Sequence, residues 1–180
     1  MSQTLLLIDL QNDYFPGGAM DLVGSTAAVT RAASLLRTFR EKSLPVIHIQ
    51  HVATRPGATF FLPGTAGAEI HADVAPRAEE TVFPKHYPNS FRETPLLEHL
   101  RRHDITQLVV AGMMTHMCVD TTVRAAADLG FQCRLASDAC ATRDLAFGGV
   151  TVLAAQVQAA FLAALNGAFA DVQTVEEMGV

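Results

Sequence analysis

Three residues far apart in this chain have the side-chain types needed for nucleophilic hydrolysis: Cys118, Lys85 and Asp9. A thiolate is a strong nucleophile and a thiol a weak one. A cysteine that attacks a carbonyl therefore needs a group to take its proton and a group to hold the charge that develops. Asp9 can accept the thiol proton and later hand it to a leaving group. The ammonium of Lys85 can lower the thiol pKa, and so can the positive end of a helix beginning near Cys118. Free N–H groups at that helix start can hold an oxyanion. The chemistry these parts imply is attack on a carbonyl, a thioester intermediate and release by water. Of 13 basic residues only Lys42 and Lys85 are lysines. Lys42 falls in a solvated helix end, whereas Lys85 sits among Phe83, Pro84 and Tyr87. Each residue alone has a plainer reading. A cysteine at a helix start is often a small buried hydrophobe, an aspartate ending a strand is often a turn cap, and a lysine beside a core strand often snorkels. Their joint placement argues for chemistry.

That placement follows from the elements. Residues 4–8 read as a buried strand, apolar on both faces. Pro16-Gly17-Gly18 breaks the chain, and Ser25 is placed to cap a helix running to about residue 42. That helix turns Ala28, Val29, Ala32, Leu35, Leu36 and Phe39 inward. Residues 45–50 form a second strand. Residues 52–80 form a long connection rich in Gly, Pro and Ala, of a kind that is often functional. A third strand covers 81–83. A helix opens with Thr94 as N-cap and Pro95 in its first position. A fourth strand spans 107–111, a helix stopped by Gly130 spans 117–129, and a fifth strand spans 131–136. An Ala-rich helix over 150–165 and a last strand over 169–174 complete the chain.

The alternation predicts one α/β domain over residues 1–180: a three-layer, doubly wound parallel sheet with helices on both faces. Ligands in such sheets bind beyond the carboxyl ends of the strands. Asp9 ends the first strand, Lys85 lies just after the third, and Cys118 lies just after the fourth.

Composition narrows the function class. The chain has 180 residues, 49% hydrophobic and 17% charged, too apolar for disorder and with no apolar run long enough to span a bilayer. The net charge is −5 and the basic residues are scattered, which argues against nucleic acid as a partner. No basic segment precedes an apolar stretch at the start, so no secretory signal is read there. Cys118, Cys133 and Cys140 make an odd count without metal spacing, and a reduced, cytoplasmic setting is the simplest expectation.

The local wording carries a resemblance. Leu7-Ile8-Asp9-Leu10-Gln11-Asn12-Asp13-Tyr14-Phe15 resembles the first motif of the isochorismatase-like cysteine hydrolases. Phe83-Pro84-Lys85-His86-Tyr87-Pro88-Asn89-Ser90-Phe91 is similar to their lysine motif, and Ala111-Gly112-Met113-Met114-Thr115-His116-Met117-Cys118-Val119 to their nucleophile motif. Asp138-Ala139-Cys140-Ala141-Thr142 resembles the segment after their fifth strand. The resemblance implies a six-stranded sheet of order 3-2-1-4-5-6, with Asp9 as proton carrier, Lys85 as charge stabiliser and Cys118 as nucleophile. It further implies a cis Met113–Met114 peptide, which turns the amide of Met114 toward an oxyanion beside that of Cys118. Phe15 is expected to flank the substrate, with His51, Tyr87 and His116 as further pocket residues. By the same resemblance the protein forms a homo-oligomer, a dimer or tetramer, in which a neighbouring subunit covers the loop carrying Phe60 and Phe61.

Nicotinamidases of this family carry an Asp-x-His pair and a later His for a metal. Here the stretch reads Gln50-His51-Val52-Ala53. The expectation is therefore no metal and no cofactor; His48, His51 and His71 are the histidines available for a different metal site, and no ligand spacing supports one. Because vinyl-ether cleavage does not need a thioester, Cys118 favours hydrolysis of a C–N bond in a small-molecule amide. The alternatives are an isochorismatase-type vinyl-ether hydrolase and a non-catalytic binding protein on the same fold. A phosphatase reading of Cys118-x5-Arg124 is weak, because Asp120 inside the run would repel phosphate and the segment has no glycine.

Overall fold

The computed structural model describes residues 2–179. Its centre is β1 (Ser2–Ile8), paired in parallel with β2 (Val46–His51) on one side and β4 (Ile105–Met113) on the other. β3 (Thr81–Lys85) extends the sheet beyond β2, and β5 (Gln132–Ala141) and β8 (Asp171–Gln173) extend it beyond β4. The resulting order β3-β2-β1-β4-β5-β8 is the expected one. The sixth sheet strand is the eighth in the chain because a separate antiparallel hairpin intervenes, β6 (Leu145–Phe147) with β7 (Val150–Val152).

β1 has no solvated face, because alternate residues feed two cores. Leu5 and Leu7 pack with Ala28, Val29, Leu35, Leu36 and Phe39 of α1 (Ser25–Glu41). Leu6 and Ile8 join Leu96 and Leu100 of α2 (Leu96–Arg102), Val123 and Ala126 of α3 (Asp120–Asp128) and Leu165 of α4 (Ala154–Leu165). The short α5 (Val175–Met178) puts Met178 into the first core. These are the three layers the alternation predicted.

Several boundaries differ from expectation. Residues 150–152 are strand, not helix, because Gly148 and Gly149 both adopt positive φ (59° and 79°) and turn β6 back on β7. The hairpin leaves Phe147 90% exposed. Ser25 does not cap α1; the N-cap is Gly24 at φ 78°, and Ser25 is the first helical residue. Pro95 is the N-cap of α2 rather than its first helical residue, with Thr94 Oγ1 accepting from the amide of Leu96 at 3.4 Å. β3 is two residues longer than expected and ends on Lys85 itself. The expected helix over 117–129 is divided between a π-helical turn, Thr115–Val119, and α3.

Among the described residues no helix is long and apolar enough to cross a membrane. Cys118, Cys133 and Cys140 are all buried and unpaired.

At the end of the sheet opposite the strand ends that carry Asp9 and Cys118, a charged network ties α1 to the segment before β3. Arg40 donates to both oxygens of Glu80 at 2.6 and 2.8 Å, the amide of Arg77 donates at 2.9 Å, and Nε2 of buried His48 lies 3.0 Å away. Burial pushes the Glu80 carboxyl up, but the hydrogen bonds from Arg40, Arg77 and His48 outweigh it and hold the group at about 2. Burial likewise keeps His48 below its usual range, against the pull of Glu80. A depressed folded-state pKa stabilises above the ordinary carboxylate range and stops doing so as pH falls through the folded value. Glu80→Gln is therefore expected to cost about 2–3 kcal/mol at neutral pH, with the deficit shrinking as pH drops from 4.5 toward about 2. Urea unfolding of both proteins across that range measures it, and a pH-independent deficit would contradict the assignment.

Candidate active site

Three strand ends deliver the site. Asp9 follows β1 at φ 52°, a left-handed conformation that Asp tolerates better than most residues and that turns its side chain off the strand line. Lys85 closes β3, in register with His51 at the end of β2. After β4 the Met113–Met114 peptide is cis, as expected, and the chain enters the π-helical turn that carries Cys118. Gly112 makes the approach possible. At φ 148°, any Cβ there would lie 2.1 Å from the carbonyl oxygen of Ile8, so only glycine lets β4 run this close to the end of β1.

The side chains converge as anticipated. Lys85 Nζ is 2.8 Å from Asp9 Oδ2, with both side chains fully buried. Lys85 also donates to the carbonyls of Tyr87 at 3.0 Å and Pro88 at 3.3 Å, and reaches Nδ1 of His51 at 3.2 Å. One ligating atom each from Asp9, His51 and Cys118 lie within 4.8 Å of one another. Neither oxygen of Asp9 has an aligned hydrogen-bond donor, so the carboxylate keeps accepting capacity beside the thiol. That donor set would suit a soft divalent ion, but the Lys85 ammonium occupies the same neighbourhood with the same sign of charge.

The electrostatics correct one expectation. Cys118 does not have a lowered pKa. Burial pushes it well up, Asp9 raises it further, and Lys85 only partly offsets the rise. The helix-end effect also weakens, since Cys118 lies in the π-helical turn before α3 and not at the first residue of an α-helix. Burial also disfavours the ammonium of Lys85, yet Asp9 and Cys118 together raise its pKa, so it stays charged. The resting site is thus an ion pair beside a neutral thiol. Burial lowers the pKa of His51, which leaves it neutral and able to accept from Lys85 at Nδ1. Burial pushes Cys133 and Cys140 up to about 12, and no lysine or arginine offsets the rise at either.

A cavity of about 460 Å³ opens over Cys118. Of the residues expected around substrate, His51, Phe60 and Tyr87 line it, together with Met114. Phe15, Phe61 and His116 do not. Phe15 is turned against the ring of His71, with centroids 4.1 Å apart. Phe61 is buried edge-on to Tyr14 at 4.6 Å, and its amide donates to Asp13 Oδ2 at 2.6 Å. His116 meets the hydroxyl of Thr142 and the ring of Phe161. The loop bearing Phe60 and Phe61 folds onto its own chain. Asp13 holds it from within, and Gln11 donates to the carbonyls of His51 and Ala68 at 2.8 and 2.7 Å.

The residue missed was Tyr14, adjacent to Phe15 in sequence. The single-turn helix Asn12–Tyr14 directs Tyr14 to the cavity and Phe15 away from it. An aromatic pair gives no signal for which member faces in. Arg55, Met117 and His86 also line the cavity unannounced. His48, His51 and His71 do not come together: His48 pairs with Glu80, and His71 lies 3.8 Å from Asp73. Arg124 pairs with Asp120 at 3.0 Å and lies over the ring of Phe169, so Cys118 and Arg124 do not form an anion loop.

Residues 3–177 match the model of the Isochorismatase domain. The isochorismatase family protein YddQ of Bacillus subtilis is 48% identical over 176 residues, covering 98% of each chain. The crystal structure of an isochorismatase-family protein from Oleispira antarctica superposes with a TM-score of 0.95 at 51% identity, over 98% of this chain and 95% of that one. The nicotinamidase of Escherichia coli is 28% identical over 77% of this chain and 82% of its own length.

Proposed function

This chain belongs to the isochorismatase family of hydrolases, and from that premise we propose that it hydrolyses a C–N bond of a small amide through a thioester on Cys118. One observation carries the reading: the buried Asp9–Lys85 pair, with an unused acceptor on Asp9, stands against a thiol at the floor of a cavity. A thiol whose pKa is raised by burial does not ionise in advance, so its proton must leave as it attacks.

Asp9 takes that proton while Sγ bonds to the amide carbon. The developing oxyanion is held by the amides of Met114 and Cys118, and Lys85 balances the negative charge beneath. Asp9 then returns the proton to the leaving nitrogen as the C–N bond breaks. A water enters, gives a proton to Asp9 and attacks the thioester carbon. The acid leaves, and the proton on Asp9 restores the thiol. His51, neutral and fixed by Lys85 and Gln11, borders the reacting carbon. The name of the related nicotinamidase, an amide hydrolase, agrees with this class.

The experiment is to quench the protein during turnover of an amide panel and weigh it. An adduct of the acyl mass on Cys118, discharged by hydroxylamine, is expected. Turnover with no adduct at any quench time, and with no acyl hydroxamate formed when hydroxylamine is added, would favour direct attack by water.

A further inference from the structure

The outer wall of the cavity is made by the first part of the long loop, from Ala53 to Phe60. The loop is closed at its base by the amide of Ala53 on the carbonyl of Phe61, at 2.9 Å. A turn within it is closed by the amide of Ala58 on the carbonyl of Arg55, at 3.1 Å. Arg55 is thereby held at the start of a turn facing the cavity. It is the one guanidinium among the lining residues, and none of the lining residues is an aspartate or glutamate. Among the described residues its side chain has no ion-pair or hydrogen-bond partner, unlike Arg31, Arg40, Arg92, Arg102 and Arg124. Asp9, the carboxylate below, is already matched by Lys85. A chain of net charge −5 thus presents an acid-free cavity with an unmatched cation on its wall.

We propose that Arg55 binds an anionic group of the substrate, so that the amide cleaved at Cys118 carries a carboxylate or similar charge at the end remote from the scissile bond. This deepens the function proposed above and rests on it. The planar fork of a guanidinium matches a carboxylate in two parallel hydrogen bonds, which a neutral wall residue cannot offer. The remaining wall supplies the hydroxyls of Thr54 and Thr59 and the ring of Phe60, suited to the short linker between the two ends. Because Arg55 stands on the loop and away from the Asp9–Lys85 pair, it binds ground and transition state alike and acts on KM more than on kcat.

Two alkylating agents of nearly equal size test the charge preference without requiring turnover: anionic iodoacetate and neutral iodoacetamide. The rate ratio at Cys118 is read by mass spectrometry of the intact protein and its peptides at mildly alkaline pH, against the ratio for mercaptoethanol. Iodoacetate is expected to be favoured at Cys118 by about tenfold over that reference. Arg55→Gln should bring the ratio back to the reference, Arg55→Lys should keep part of it, and added salt should weaken it. A wild-type ratio no higher than that of mercaptoethanol, or a preference that survives Arg55→Gln, overturns the assignment of Arg55 and leaves the Cys118 chemistry standing. Failure of both reagents to label Cys118 overturns the inference that an anion reaches the thiol past Arg55, and the acyl-adduct experiment decides the nucleophile separately.

Discussion

Cys118→Ala loses essentially all turnover, by about 10⁴-fold or more, while the fold survives. Sγ is the only atom in the cavity with the nucleophilicity the proposed thioester needs, and Asp9 has no other thiol in reach. Cys118→Ser should fare little better. The serine hydroxyl is far less acidic than a thiol, and burial has already moved the balance against ionisation at this position. Stability should change little in either variant, since Cys118 contributes a small side chain to a core anchored by Val119 and Val123. Matched circular dichroism and melting curves separate lost chemistry from lost fold. Robust turnover by a folded Cys118→Ala protein would sink the thioester reading. It would point to water activated by Asp9, or to the vinyl-ether chemistry for which no sulfur is needed.

Lys85→Met is expected to lower turnover by about 10³-fold or more and, unlike the cysteine variants, to destabilise the fold by roughly 3–5 kcal/mol. Both effects have one source. Lys85 is the group that pulls the Cys118 pKa down against burial and Asp9. Among the described residues it is also the one counter-charge paired with a carboxylate that has no exposure to solvent. Buried carboxylates stripped of a partner tend to escape the penalty by taking up a proton, and a protonated Asp9 cannot accept one from sulfur. Combining Asp9→Asn with Lys85→Met should recover most of the stability and none of the activity. Such a cycle separates the ion pair's structural role from its chemical one. Since the folded-state pKa of Lys85 is raised, the pair's contribution is complete at neutral pH and fades only as pH climbs through that raised value. A Lys85→Met protein with near-normal turnover would remove the ammonium from the mechanism.

The strand order and layer pattern were legible because they rest on periodicity. Leu5 to Ile8 without a polar residue implies burial on both faces, and the alternation of such runs with helical stripes leaves few topologies. The meeting of Asp9, Lys85 and Cys118 was legible for the same reason, since each sits where a parallel strand ends. What failed was local. Residues 150–152 carried an apolar pattern that fits helix or strand equally, and Gly148-Gly149 decided the matter. Phe15 and Tyr14 differ by one position, and one turn of helix after Gln11 sent Tyr14 to the cavity.

Residue types and their order thus determined the sheet, the strand ends and the three groups that gather there, because hydrophobic period and chain connectivity are written along the polypeptide. Only the tertiary structure decided the protonation of the thiol, the face each aromatic ring presents and the exposure of Arg55 to the cavity. Those depend on how much water, and which opposite charge, remains beside a group once distant segments have closed around it. Asp9 and Cys118 are 109 positions apart, and it is their shared burial with Lys85 that raises the thiol pKa, matches the carboxylate's charge and leaves Asp9 able to accept a proton.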